Sequence, residues 1–301
     1  MKKNGDYMKF KRCILENDLP RRFPPQHQEI QPGIESKMIP RPIYDDPCYL
    51  GASKLEDKVA LITGGDSGIG RAVAIAFAKE GANVAISYLY EDEDALETKE
   101  CVESYGRKCK LYPGDIRSES FCKELIHCVV EDFGSLDILV NNAGVQFPQP
   151  SIKEITINQL YLTYEVNVFP MFYLTQAALC YMKQGSTIIN TASVTAYKGN
   201  VQLIDYSSTK GAVVSFTRTL SQSLVQKNIR VNAVAPGPIW TPLIVSSFSE
   251  DDVSKFGQDV PMKRAGQPYE LAPTYVYLAS NDSSYVTGQV LHVNGGTMTG
   301  S

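Results

Sequence analysis

The chain has 301 residues, with 29 Lys and Arg against 33 Asp and Glu, a net charge of -4 and 43% hydrophobic residues. That balance excludes wholesale disorder and offers no basic face of the kind nucleic acid requires. No apolar run reaches the roughly eighteen residues of a membrane-spanning helix, so neither membrane nor nucleic acid is an expected partner.

The first fifty residues hold seven of the seventeen prolines and show no helical or strand periodicity. They read as a proline-rich N-terminal extension, 1–50, ahead of a catalytic domain, 51–301. Phe23, Ile30, Met38, Ile39, Tyr44 and Tyr49 are its apolar anchors if it is an arm laid on a neighbouring subunit; otherwise it is a flexible extension. Neither a secretory h-region nor an Arg-rich transit pattern is present, which predicts a cytoplasmic protein. From Leu55 onward short β-branched runs alternate with amphipathic stretches. Strands are expected at 58–63, 83–88, 109–112, 136–140, 186–191, 229–235 and 289–293, and helices at 69–79, 91–105, 118–133, 157–183, 206–226 and 269–278. Repeated strand–helix alternation specifies one doubly wound α/β domain of the Rossmann kind, a parallel sheet of about seven strands with helices on both faces.

Seven cysteines are scattered with no Cys-x-x-Cys pair. They are expected as free thiols, with Cys180 in the core. Three histidines, His27, His127 and His292, stand far apart. No metal site is expected, nor a Ser-His-Asp triad.

The first strand runs into Thr63-Gly64-Gly65-Asp66-Ser67-Gly68-Ile69-Gly70, where a helix opens. Glycines at such a junction allow a sharp turn and close approach to a pyrophosphate, while the helix N-terminus supplies free N–H groups. No Gly-Lys-Ser/Thr follows, which excludes a Walker-type loop. Tyr206 and Lys210 are one helical turn apart, so an ammonium stands beside a phenol that is otherwise a poor acid–base catalyst at neutral pH. Ser193 follows the fifth strand, and Asn167 lies inside an apolar helix where asparagine is disfavoured.

From about Leu55 to Ser301 these motifs resemble the short-chain dehydrogenase/reductase family, nearest to bacterial glucose dehydrogenases and general-stress oxidoreductases. The resemblance rests on the glycine spacing, on Asn141-Asn142-Ala143-Gly144, on Asp115-Ile116 and on Pro236-Gly237-Pro238 with Ile239 and Thr241. It implies an oxidoreductase acting on an alcohol or carbonyl. Its tetrad would be Asn167, Ser193, Tyr206 and Lys210: Tyr206 exchanges a proton with the substrate oxygen, Ser193 hydrogen-bonds that oxygen, Lys210 lowers the tyrosine pKa and holds the nicotinamide ribose, and Asn167 holds a relay water. The implied cofactor contacts are Gly64, Asp66, Ser67, Gly68, Ile69, Gly70, Tyr88, Asp115, Ile116, Asn142, Ala143, Gly144, Lys210, Pro236, Gly237, Ile239 and Thr241. The second strand ends without the usual acid, but Glu91-Asp92-Glu93-Asp94 follows and no Arg or Lys stands there. NAD is therefore expected, with NADP the alternative; the acidic run itself reads as a solvated helix start. The segment 240–261 reads as an apolar lid over the substrate, with Trp240 as core. Two rival readings carry the same motifs, a 3-oxoacyl-carrier-protein reductase and a non-catalytic dinucleotide sensor. The resemblance also implies a homotetramer.

Overall fold

The computed structural model describes residues 13–300. Seven strands, β1 (Val59–Thr63), β2 (Asn83–Tyr88), β3 (Cys109–Pro113), β4 (Ile138–Asn141), β5 (Thr187–Thr191), β6 (Arg230–Pro236) and β7 (Val290–Val293), form one sheet in the order β3-β2-β1-β4-β5-β6-β7. Every pairing is parallel. Chain direction reverses its march between β1 and β4, and a doubly wound sheet takes its ligand in the crevice that opens there, beyond the carboxyl ends of the strands.

Period-two alternation sends one set of side chains to each face. Ala60, Ile62, Val84, Ile86, Ile138 and Val140 pack with helices α1 (Gly68–Lys79), α2 (Asp92–Ser104) and the later helix 272–279. Leu61, Ala85, Leu139, Ile188 and Val231 pack with α3 (Glu119–Phe133) and with helix 169–178. Both faces are covered, which is why these strands read as continuous apolar runs.

The expected helix 157–183 is two helices, α4 (Ile157–Asn167) and α5 (Phe169–Ala178), broken at Val168 with φ -125 and ψ -54. Pro170 is the cause: it has no N–H for the Val166 carbonyl and its ring displaces the preceding turn. The break puts Asn167 at a helix end. Cys180, expected in the core, is exposed because α5 ends before it. The remaining helices are α6 (Thr195–Lys198), α7 (Ile204–Leu224), α8 (Pro242–Val245), α9 (Glu250–Lys255) and α10 (Ala272–Ala279). No helix among the described residues is long and apolar enough to cross a membrane.

Residues 13–50 lie on their own domain rather than standing free of it. Phe23 stacks on Trp240 with ring centroids 3.7 Å apart, and Trp240 Nε1 donates to the Pro40 carbonyl at 2.9 Å. Of the expected anchors Phe23 and Met38 are buried, whereas Ile30 and Ile39 are exposed. Cys13 and Cys48 form a disulfide, which corrects the expectation of free thiols throughout; Cys101, Cys109, Cys122, Cys128 and Cys180 are free. The pairing joins the two ends of the docked segment, a proximity that scattered spacing in sequence does not announce. Removing the aromatic face in Phe23→Ala is expected to cost about 3–5 kcal/mol and to redden emission from Trp240, the sole tryptophan. Unchanged emission and melting temperature would contradict this packing.

Candidate active site

A cleft of about 720 Å³ runs along the carboxyl ends of the strands. The turn after β1 forms its floor. Gly64 and Gly68 have φ of +60° and +51°, which side-chain-bearing residues rarely adopt. A Cβ on Gly70 would lie 1.9 Å from the Gly64 carbonyl oxygen, so Gly70 permits helix α1 to close on the strand. Ser67, the N-cap of α1, makes no side-chain cap bond. Of the first-turn donors, the N–H of Gly68 is taken by Glu35 Oε2 at 2.6 Å, and those of Ile69 and Gly70 are left for another acceptor.

The loop after β4 is tied to this turn. The N–H groups of Asn142 and Ala143 donate to Thr63 Oγ1 at 3.0 and 3.1 Å, and Asn142 Nδ2 donates to the Thr63 carbonyl at 3.0 Å. At one end of the cleft, Asp115 is held below the usual carboxylate range by hydrogen bonds from Arg117. Asp66 and Glu91 are both buried here. Burial, followed by the charge of Glu91, pushes the Asp66 carboxyl up to about 7. Glu91 is raised by burial too, although it accepts from the N–H groups of Leu89 and Tyr90. The acidic run is therefore only half a solvated helix start: Asp92 and Glu93 are exposed, while Glu91 and Asp94 face inward.

At the other end, Tyr206 and Lys210 project from α7 and Ser193 follows β5. The Lys210 Nζ donates to the Thr191 carbonyl at 2.8 Å and sits 5.5 Å from the Tyr206 ring centroid. Ser193 Oγ accepts from the Thr195 N–H at 3.1 Å and from Thr195 Oγ1 at 3.0 Å, and its hydroxyl favours the ionised form of the Tyr206 phenol. Burial moves the pair toward neutrality, Tyr206 up to about 12 and Lys210 down to about 8. The pull expected of Lys210 on the phenol does not outweigh that burial. Asn167 Oδ1 accepts from the Val145 N–H at 2.8 Å, and its Nδ2 donates to the Val145 carbonyl and to Thr209 Oγ1. It therefore clamps the loop after β4 onto α7.

Ser193, Tyr206, Lys210 and the expected cofactor contacts other than Gly70 line this one cleft. Gly70 lies behind the turn. Asn167 instead borders a small cavity of about 10 Å³ shared with Thr191 and Lys210. Sequence reasoning missed Thr195, which orients Ser193, and Gln31, Pro32 and Gly33, which bring the N-terminal arm to the cleft; Ser87, at the end of β2, lines it as well. Only Thr195 had a local signal, its position two residues after the serine. Among the described residues, Asp66 Oδ2 and Ser87 Oγ are buried without a hydrogen-bond partner. Orphaned polar atoms at one end, uncapped helix donors in the middle and a glycine cradle fit a dinucleotide's ribose and pyrophosphate groups.

Comparison with known proteins agrees. The family model for enoyl-(acyl carrier protein) reductases matches residues 64–298. An uncharacterized oxidoreductase of Bacillus subtilis, YhxC, is 62% identical over 94% of this chain and 99% of its own. The glucose and ribitol dehydrogenase of Daucus carota is 52% identical over 92% of this chain and 97% of its own. A short-chain dehydrogenase of Burkholderia cenocepacia in complex with NADP superposes with a TM-score of 0.76 at 29% identity, covering 81% of this chain and 99% of that one. The 3-ketoacyl-(acyl-carrier-protein) reductase of Brucella melitensis complexed with NADH gives 0.74 at 33% identity, over 81% and 99%. The chain belongs to the short-chain dehydrogenase/reductase family. It is an oxidoreductase whose cofactor is a nicotinamide dinucleotide and whose substrate is a small molecule.

Proposed function

We propose that the protein is an NAD-preferring dehydrogenase of sugars or polyols that works through Tyr206, Lys210, Ser193 and Asn167. The observation that carries the reading is the grouping of Tyr206, Ser193 and Lys210 in the one cleft that the glycine turn floors, with Lys210 Nζ 5.5 Å from the Tyr206 ring centroid. A bound nicotinamide dinucleotide supplies or accepts the hydride. Tyr206 takes the proton from the substrate hydroxyl in oxidation and returns it in reduction. Ser193 donates to the same oxygen and steadies the charge that develops there. Lys210, anchored on the Thr191 carbonyl, favours the phenolate and offers its remaining donors to ribose hydroxyls. The cavity by Asn167 is on the scale of one water, which supports a proton path from Lys210.

Substrate class is supported by the named activity of the carrot relative and by the substrate end of the cleft. Phe147, Leu203 and Phe256 alternate there with Gln146, Lys198 and Asn200. The NAD preference rests on Asp66 and Glu91: a 2′-phosphate would meet two acids, and Arg117 is already committed to Asp115. Calorimetric titration is expected to give NAD a dissociation constant at least about tenfold below that of NADP, about 1.4 kcal/mol. Equal affinities, or tighter NADP, would overturn the preference. A homotetramer in the cytoplasm is part of the same reading. It is supported by apolar residues left exposed along α4 and α5, Ile157, Tyr161, Phe169 and Phe172.

A further inference from the structure

The N-terminal arm crosses the cleft rather than lying beside it. Gln31 Nε2 donates to the Gln146 carbonyl at 2.6 Å, and Gln31 Oε1 accepts from the Gln146 N–H at 3.2 Å. The Tyr90 hydroxyl donates to the Pro32 carbonyl at 2.6 Å. Gly33 lies so close to α8 that a Cβ there would be 2.7 Å from the Pro242 carbonyl oxygen. Residues 31–33 thus join the loop after β4 to the loop after β2 and form part of the cleft wall.

Two residues further on, Glu35 is wholly buried, and its Oε2 accepts from the N–H of Gly68 at 2.6 Å. The N–H of the first residue of α1 is therefore held by a carboxyl group from the arm. Glu35 is fixed in turn: its Oε1 lies 2.8 Å from Arg71 Nη1, and the N–H groups of Glu35 and Ser36 donate to the Asp94 carboxylate at 2.6 and 3.1 Å. Arg71 also meets Glu97 at 3.1 Å. Glu35 itself does not line the cleft, so it holds the turn from behind and leaves the cleft side of the helix terminus open. Gly68 has a φ of +51° and little intrinsic preference for one conformation, so a fixed turn needs an external partner.

We propose that residues 31–35 of the arm are a working part of the dinucleotide site, with Glu35 the positioning residue that fixes Gly68 and Gln31 the clasp that closes the outer wall. The inference rests on the reading that this cleft takes a nicotinamide dinucleotide. Its consequence is that cofactor affinity depends on the arm although the whole glycine motif lies in the domain behind it.

Calorimetric titration of the full chain with NAD, NADH, NADP and NADPH tests this without a known substrate. For the tightest of the four, Glu35→Gln is expected to raise the dissociation constant about tenfold and Gln31→Ala about fivefold. Binding stoichiometry and Trp240 emission, which reports the docked arm at Phe23, are expected to stay as in the parent. A purely structural role predicts the opposite pattern in Glu35→Gln, a lower stoichiometry with an unchanged dissociation constant, and would overturn the proposal. So would parent-like dissociation constants in both variants. If the parent binds none of the four probes, the dinucleotide reading falls and the inference falls with it. Parent binding with unaffected variants overturns the inference alone.

Discussion

Tyr206→Phe is expected to lower turnover by about 10²–10⁴-fold while leaving dinucleotide affinity within about twofold of the parent. The ring stays and only the hydroxyl goes, so packing in the buried site is conserved. What is lost is the group proposed to exchange a proton with the substrate oxygen. The same hydroxyl sets a pH dependence. Burial pushes Tyr206 up to about 12, so its proton-accepting form is scarce at neutral pH and grows as pH rises. Alcohol oxidation should therefore accelerate between about pH 6 and 8, whereas carbonyl reduction, which uses the protonated form, should not. Above that range Lys210, pushed down to about 8 by its own burial, loses the charge that favours the phenolate, and the gain should level off. Initial rates in both directions across this range check the assignment. A flat oxidation profile, or a Phe variant as fast as the parent, would contradict it.

Gly70→Ala is expected to damage cofactor binding more than its single methyl suggests. The new Cβ would lie 1.9 Å from the Gly64 carbonyl oxygen and 2.9 Å from Asn142 Nδ2, both parts of the tied turn. Neither is the free end of a flexible chain, so helix α1 must move off the strand. Overpacking of this kind costs about 1–3 kcal/mol. For a chain of this size each kcal/mol lowers the melting temperature by roughly 2–4 °C. Because the displaced atoms are the floor of the dinucleotide cleft, affinity for NAD should fall at least about a hundredfold even where the protein remains folded. Retained affinity in a stably folded Gly70→Ala would mean that the turn does not hold the cofactor.

Much of this was legible in residue order because the features are local. A glycine-rich junction between an apolar strand and a helix, or a Tyr and Lys one turn apart, is written in consecutive residues, and the doubly wound sheet follows from alternation. The unread features depend on distant partners or on one residue outweighing a pattern. Pro170 breaks an otherwise continuous apolar helix, and that break places Asn167 against Val145. Glu91 looked solvated in sequence because nothing nearby shows that Leu89 and Tyr90 turn their N–H groups onto it. The arm was the least legible part. Its contacts join residues more than a hundred positions apart, as Phe23 with Trp240 and Gln31 with Gln146. Composition marks such a segment as irregular and says nothing about where it lies.

The Tyr206 cleft is proposed to oxidise and reduce small hydroxyl compounds with a nicotinamide dinucleotide. Absorbance of the reduced nicotinamide, followed with the parent and Tyr206→Phe over a panel of sugars, polyols and simple alcohols, tests it most directly. Turnover by the parent on at least one polyhydroxyl compound is expected, with NAD favoured, and near-complete loss in the variant. Firm dinucleotide binding by the parent with no turnover in either direction, or equal turnover by the variant, would contradict it.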